Sequence, residues 1–78
     1  MPTVLRIGPY RFFFFSNEGN EPPHVHVERD EKAAKFWLNP VRLQQRWGFG
    51  DSELSKIQKH VQEHQQLLNE KWHEYFNQ

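Results

Sequence analysis

Residues 22–38 read PPHVHVERDEKAAKFWL, and this stretch decides the fold. Polar and apolar side chains alternate from His24 to Glu28, which is the period-two pattern of a β-strand with one buried face. The polar run RDEK that follows is typical of a tight turn, and AKFWL is a second β-prone segment. We therefore expect two neighbouring antiparallel strands in the middle of the chain.

Two further β-prone segments precede these strands. TVLRI ends at a Gly-Pro turn dipeptide, and YRFFFF ends at a Ser-Asn pair, before a loop that is rich in turn-forming residues. We expect four strands within about residues 3–38 and expect Asn39-Pro40 to break the sheet. Residues 39–50 are then an irregular or helical connector.

The last third of the chain predicts one long helix over about residues 51–76. Apolar residues recur there at steps of three and four, and neither Gly nor Pro interrupts the pattern. Gly50 or Asp51 can cap the first turn. The predicted fold is α+β: a small, mostly antiparallel four-stranded meander packed against one long C-terminal helix. The apolar stripe of this helix consists of Leu54, Ile57, Val61, His64, Leu68, Trp72 and either Tyr75 or Phe76.

Length and composition limit the functional classes. The chain has 78 residues, so we expect a single domain over residues 1–78. It has no Cys, which excludes a disulfide framework and a thiolate metal site. No apolar stretch approaches the length of about 20 residues that a membrane span needs, so we expect a cytoplasmic protein. Ten basic and ten acidic residues cancel, so net charge gives no argument for nucleic-acid binding.

Strand alternation divides the predicted sheet into two faces. Val25 and Val27 mark the face that the helix covers, and the two histidines of the same strand point to the other face. Residues 12–15 are all Phe, so alternation alone leaves their face open, although the other strands favour Phe12 and Phe14 on the helix side. The second face then combines aromatic and basic side chains, namely Arg6, Arg11, Phe13, Phe15, His24, His26, Lys35 and Trp37.

This second face has three interpretations. The segment that follows Pro40 can fold back and cover it. It can be an interface with a partner protein or with a second copy of the chain. It can also bind RNA, because aromatic rings flanked by positive charge stack unpaired bases and contact phosphates.

His24 and His26 lie about 6.6 Å apart along a strand, so both imidazoles can reach one small target. They can serve as general base and general acid on a phosphodiester, bind an anion, or bind a metal with Glu28 as a third ligand. Ordinary surface histidines also occur in this pattern. A fourth ligand is missing from the sequence pattern, so we assign no metal site and no cofactor.

Three segments carry a resemblance to a known family: MPTVLRIGPYRFFFFSNEGNEPPHVHVERD, AKFWLNPVRL and the closing HEYF. Over residues 1–76 the chain resembles the small prokaryotic family catalogued as domain of unknown function 4160. The resemblance implies a complete single-domain protein but supplies no catalytic residues. Members are often encoded beside a small protein of the family catalogued as domain of unknown function 2442, in pairs that look like toxin–antitoxin modules. The family usually has Ser or a similar cap where this chain has Gly50.

Two functional hypotheses follow. The first is a toxin-like component that acts on RNA, with His24 and His26 as general acid and base. Phosphate binding and charge stabilisation would come from Arg29, Arg11 and Lys35. The alternative is a non-enzymatic module whose sheet face docks a small partner protein encoded alongside, with a homodimer as a further arrangement and no membrane partner. Under either hypothesis the contact surface consists of Arg6, Arg11, Phe13, Phe15, Lys35 and Trp37.

Overall fold

The computed structural model describes residues 3–76. It contains one antiparallel sheet in which the order of the strands equals their order along the chain. The predicted α+β class is confirmed, and no helix within residues 3–76 is both long and apolar enough to cross a membrane. The elements are β1 (Thr3–Ile7), β2 (Tyr10–Phe13), β3 (His24–Arg29), β4 (Lys32–Leu38), β5 (Val41–Trp47), α1 (Asp51–Glu63) and α2 (Gln65–Phe76).

The strand pair predicted from residues 22–38 forms the centre of the sheet. β3 and β4 are antiparallel, and Arg29 at the end of β3 lies opposite Lys32 at the start of β4. The turn between them places Asp30 in the left-handed region, with φ of 56°. Asp is one of the few residues other than Gly that tolerate this conformation. Local sequence therefore determines the central hairpin.

The sheet has five strands, whereas the sequence predicted four. β5 occupies most of the segment expected to be an irregular or helical connector, residues 39–50, and it pairs with β4. Asn39-Pro40 does not break the sheet. It is a two-residue turn with a cis peptide bond, placed between the end of β4 and the start of β5. The sequence did not indicate this strand, because every residue of β5 is exposed or half-buried and the segment is therefore mostly polar.

The predicted long helix is two helices that are separated at His64. The start at Asp51 is confirmed, and Gly50 is the N-cap residue without a side-chain hydrogen bond. The backbone N–H of His64 donates to the carbonyl oxygen of His60 at 3.1 Å, and Nδ1 of the His64 ring lies 2.9 Å from the same oxygen. A side chain that competes for a helix carbonyl bends or ends a helix. With φ of −112° and ψ of 18°, His64 leaves the helical region.

The hydrophobic core lies between one face of the sheet and the two helices. Val25, Val27, Phe12 and Phe14 are fully buried in it, as strand parity predicted. His64 is only half-buried and is not a core residue. The other buried side chains of the core include Phe36 and Leu38 from β4, and Leu54, Ile57, Val61, Leu68 and Trp72 from the helices.

Candidate functional site

Two rows of paired residues cross the face of the sheet opposite the core. In the first row His24 of β3 lies opposite Trp37 of β4, which in turn lies opposite Arg42 of β5. Residues that are directly opposite on antiparallel strands share a face, with their Cβ atoms about 5 Å apart. We call the surface formed by the two rows the outer face. The second row consists of Phe13 of β2, His26 of β3 and Lys35 of β4.

Glu18, in the loop between β2 and β3, joins the two histidines. Its Oε1 lies 2.7 Å from Nε2 of His24 and 2.8 Å from Nε2 of His26. One carboxylate oxygen therefore contacts both imidazoles, and the three ligand-type atoms lie within 4.8 Å of one another. We call Glu18, His24 and His26 the histidine–glutamate cluster.

Aromatic rings enclose both histidines of the cluster. His24 is completely buried, and His26 is 7% exposed. The sequence predicts both histidines on the face opposite the valines and leaves open whether the chain covers that face. In the structure Trp72 of α2 packs against the ring of His24 and covers it. A large substrate has no direct approach to either ring. The enclosing rings are Trp37 and Trp72 around His24, at 5.7 and 4.8 Å between centroids, and Phe13 and Phe15 around His26, at 5.5 and 4.5 Å.

Burial and hydrogen bonding act in opposite directions on the charges of the cluster. Burial lowers the pKa of His26, and it outweighs the contact with Glu18, which raises that pKa. Burial raises the pKa of Glu18, but the hydrogen bonds with His24 and His26 together outweigh burial and hold the pKa of the carboxyl below its usual value. Glu18 is therefore ionised at neutral pH, and His26 favours its neutral form.

The other ring nitrogen of His24 determines its tautomer. Nδ1 of His24 lies 3.0 Å from the backbone carbonyl oxygen of Pro22. A carbonyl oxygen only accepts, so Nδ1 carries the hydrogen and donates it. In a neutral His24 the lone pair is consequently on Nε2, and it points at Glu18. The Pro-Pro step before β3 thus fixes which nitrogen of His24 faces the cluster.

Lys35 is a predicted contact residue that already has partners. Its Nζ donates to Oε1 of Glu21 at 2.8 Å, and its distance to Oε2 of Glu18 is 4.0 Å. The ammonium also lies 5.0 Å from the centre of the Trp37 ring, and the Lys35 side chain is only 12% exposed. The cation therefore stabilises the loop over the outer face and is poorly placed to bind a phosphate.

Arg29 lies apart from the cluster, at the opposite end of β3. Its Nη1 donates to Oε2 of Glu53 at 2.6 Å, and the hydroxyl of Tyr10 donates to the same oxygen at 2.8 Å. These bonds, from Tyr10 and from Arg29, hold the pKa of Glu53 below its usual value. The predicted catalytic set of His24, His26 and Arg29 is therefore divided between two places in the structure.

Arg11 and Arg6 lie opposite each other on β2 and β1. Arg11 donates to Glu28 at 2.8 Å, and its guanidinium lies 4.5 Å from the centre of the Phe13 ring. Arg6 is exposed at the edge of the sheet. Glu28, which the sequence suggested as a third metal ligand, is therefore held by Arg11, and Glu18 occupies the position beside the histidines.

A pocket of about 240 Å³ opens beside the first row. It has an aromatic wall and a cationic wall, formed by Trp37 and Arg42. Arg42 is exposed and has no ion-pair partner among residues 3–76. The remaining lining residues are Pro22, Pro23, Asn39 and Pro40.

The sequence does not predict the roles of three residues in this region, Glu18, Glu21 and Arg42. Glu18 and Glu21 lie in an irregular loop, where no periodicity indicates the direction of a side chain. The sequence predicts an irregular or helical connector around Arg42 and therefore does not indicate that Arg42 lies opposite Trp37. One feature of the sequence could nevertheless have indicated the position of Arg42. Trp37 and Arg42 are equally spaced on either side of Asn39-Pro40, as expected for residues that lie opposite each other across a tight hairpin turn.

Residues 10–73 match the sequence profile of a family described as a domain of unknown function (DUF4160). This chain belongs to the DUF4160 family. The DUF4160 match begins at the start of β2 and ends within α2, so it includes the histidine–glutamate cluster, both rows of the outer face and the pocket. Its description names no activity. No curated protein and no solved structure matches the chain.

Proposed function

We propose that the protein is a cytoplasmic protein-binding module, and that the edge strand β5 together with the Trp37–Arg42 pocket binds an extended acidic segment of a small partner protein. The observation that carries this proposal is the position of β5. It is the last strand of the sheet, and within residues 3–76 no strand pairs with its outer side. An edge strand offers backbone N–H and C=O groups to an incoming strand.

The side chains around this edge indicate the chemistry of the partner. Arg42 is exposed and without an ion-pair partner in the described part of the chain, and it stands beside the half-buried ring of Trp37. Trp47, at the end of β5, is 46% exposed. A strand that carries a carboxylate and an apolar side chain would pair its charge with Arg42 and place the apolar group in the pocket.

The same geometry gives less support to RNA cleavage by the two histidines. A general acid or base must reach the proton that it transfers, but both Nε2 atoms contact Glu18 and both rings are buried. Nucleic-acid affinity also depends on clustered positive charge. On the outer face, Lys35 is paired with Glu21, and the neighbouring Arg11 is paired with Glu28.

The test uses a co-expressed small protein of the domain of unknown function 2442 family as the probe. We expect a stable complex with this protein in which backbone amides of β5 exchange with solvent more slowly than in the free protein. Arg42→Glu should weaken the complex by at least about tenfold, which corresponds to about 1.4 kcal/mol, because it places like charges together. Trp37→Ala should weaken it by removing the aromatic wall of the pocket.

Arg6→Glu is the matched control, because Arg6 is also an exposed arginine of an edge strand. It should leave the affinity unchanged. Equal losses for Arg6→Glu and Arg42→Glu would show a non-specific charge effect and contradict the proposal. A complex that leaves amide exchange in β5 unchanged would also contradict it, as would RNA cleavage by the purified protein that is lost when His24 and His26 are both replaced by Ala.

A further inference from the structure

We propose that Glu18, His24 and His26 bind one divalent first-row transition-metal ion. Oε1 of Glu18 lies 2.7 Å and 2.8 Å from the Nε2 atoms of His24 and His26. Two imidazole nitrogens and one carboxylate oxygen are a ligand set that such ions take in proteins. The inference does not depend on the partner-binding proposal, which concerns β5 and Arg42.

The tautomer of His24 gives this site a second, independent support. Because Nδ1 donates to the carbonyl oxygen of Pro22, Nε2 is the nitrogen that can offer a lone pair to a metal. Histidines that bind metals usually donate their other N–H to a carbonyl or carboxylate in this way, which orients the ring. The backbone of the Pro-Pro step therefore places His24 as a ligand before any ion binds.

The three ligand atoms converge on one point. Nε2 of His24 and Nε2 of His26 both face Oε1 of Glu18, at 2.7 Å and 2.8 Å. These are hydrogen-bond distances. An ion that binds here replaces the two hydrogen bonds with three metal–ligand bonds and uses all three ligand atoms at once.

The charges around the cluster are compatible with a cation. Lys35 is the nearest positive group, with its Nζ 4.0 Å from Oε2 of Glu18. Glu21 accepts a hydrogen bond from this ammonium at 2.8 Å and offsets its charge. Glu21 also approaches Nδ1 of His24 to 4.0 Å. Together the charges of Lys35, Glu21 and Glu18 leave one net negative charge beside the two histidines.

Metal binding requires an adjustment of the loop and of the two histidine rings. Tetrahedral bonds of about 2.1 Å place ligand atoms roughly 3.4 Å apart. Oε1 of Glu18 must therefore withdraw by about 0.6 Å from each Nε2 atom, and the two Nε2 atoms, which lie within 4.8 Å of each other, must approach by up to about 1.4 Å. Glu18 is on the loop between β2 and β3, and its side chain is 19% exposed, so it can move more easily than the buried histidines. The ion would then fasten this loop to β3, and metal binding would raise the melting temperature.

The experiment is a titration of the full chain with Zn²⁺, followed by the imidazole NMR signals of all five histidines. We expect saturation at one ion per chain, with shifts of the ring signals of His24 and His26 and a higher melting temperature. The signals of His60, His64 and His73 should stay unchanged. Shifts confined to those three helical histidines, or no shift in His24 and His26 at one equivalent of Zn²⁺, would overturn the proposal.

Two variants separate a metal site from a hydrogen-bonded cluster. Glu18→Gln keeps the size of the side chain but removes a charged ligand, so the affinity for Zn²⁺ should fall by at least about tenfold, as even indirect perturbation of a metal ligand costs this much. Glu28→Gln is the control, because this carboxylate is paired with Arg11 and should leave Zn²⁺ binding unchanged. Equal affinity of Glu18→Gln and wild type would overturn the proposal, and the wild-type NMR titration decides the question even if Glu18→Gln fails to fold.

Discussion

Trp72 of α2 lies against His24 of β3, with 4.8 Å between the centroids of the two rings. The same indole contacts Phe14 edge-on, at 5.2 Å between centroids. One side chain therefore belongs to the hydrophobic core and also closes the histidine–glutamate cluster. The stability of the helix packing and the burial of His24 depend on each other through this residue.

Trp72→Ala should lower the free energy of unfolding by about 3–5 kcal/mol, because it removes a buried aromatic ring and leaves a cavity. The measurement is urea unfolding followed by circular dichroism. Leu67→Ala is the control on the same helix, since Leu67 is 36% exposed and should change stability by less than about 0.5 kcal/mol. Trp72→Phe should lower the free energy of unfolding by less than Trp72→Ala, so it can be compared with Leu67→Ala if Trp72→Ala does not fold. Similar stability of Trp72→Ala and Leu67→Ala would contradict the assigned packing.

Gly19→Ala should destabilise the protein by about 1–3 kcal/mol through overpacking. A Cβ atom at Gly19 would lie 2.5 Å from Cδ1 of Phe76 and 3.2 Å from Cε1 and Cγ of the same ring. The loop that carries Glu18 therefore approaches α2 too closely for a side chain. Ser16→Ala, an exposed change in the same loop, should have little effect on the urea midpoint. If the midpoint of Gly19→Ala equals that of wild type, the loop is not held against Phe76.

Gly50→Ser should stabilise the protein by about 0.5–1 kcal/mol. Gly50 is the N-cap of α1 and has no side-chain hydrogen bond, and a Cβ there meets no atom within 4 Å. A serine hydroxyl can accept a backbone N–H of the first turn, and any residue other than Gly reduces the entropy of the unfolded chain. Gly50→Ala shares the second effect but lacks the hydroxyl. Thermal unfolding that ranks Ala equal to or above Ser would refute a capping contribution.

The Tyr10–Glu53–Arg29 group should contribute to the loss of stability in acid. The hydrogen bonds from Tyr10 and Arg29 lower the pKa of Glu53 in the folded state. A depressed carboxyl pKa stabilises the fold above the pKa of the unfolded chain, and this contribution disappears as the pH falls through the folded pKa. Between about pH 5 and pH 3, wild type should therefore lose more stability than Glu53→Gln.

Urea midpoints measured over this pH range test the contribution of Glu53. Glu74→Gln is the control, because Glu74 is an exposed carboxylate on α2 with no ion-pair partner in the described part of the chain. The urea midpoint of Glu74→Gln should fall with decreasing pH as steeply as that of wild type. If the urea midpoint of Glu53→Gln also falls as steeply as that of wild type, the Tyr10–Glu53–Arg29 group does not contribute to the loss of stability in acid.

Alternation and helical periodicity predicted the parts of the fold in which one face is buried. Val25 and Val27 point into the core and the helix begins at Asp51, as expected, because burial imposes a repeating pattern on those segments. β5 lies at the edge and has no such constraint. The break at His64 depends on a side chain that contacts the carbonyl of His60, and the apolar stripe continues on both sides of it.

Only those residues of the candidate site that lie on strands could be predicted from the sequence. Parity placed His24 and His26 on one face and Phe13 beside them, because these positions follow from the register of β2 and β3. Strand alternation also predicted that Glu28 is the carboxylate nearest the two histidines. In the structure Glu18, which lies in a loop, contacts both of them instead. The direction of a loop side chain depends on tertiary contacts, such as the packing of Gly19 against Phe76, and these have no local signature.

The sequential order of the strands has a consequence for synthesis of the chain. Because each strand pairs with its immediate neighbour, the sheet can form from contacts of short sequence separation, and such topologies fold quickly. Ribosomes make the N-terminal part first, so the complete meander can exist before residues 51–76 emerge. During that interval Phe12, Phe14 and Phe36 face water. We therefore expect the nascent chain to bind chaperones most strongly at this length, a dependence that ribosome-bound chains truncated at successive residues would reveal.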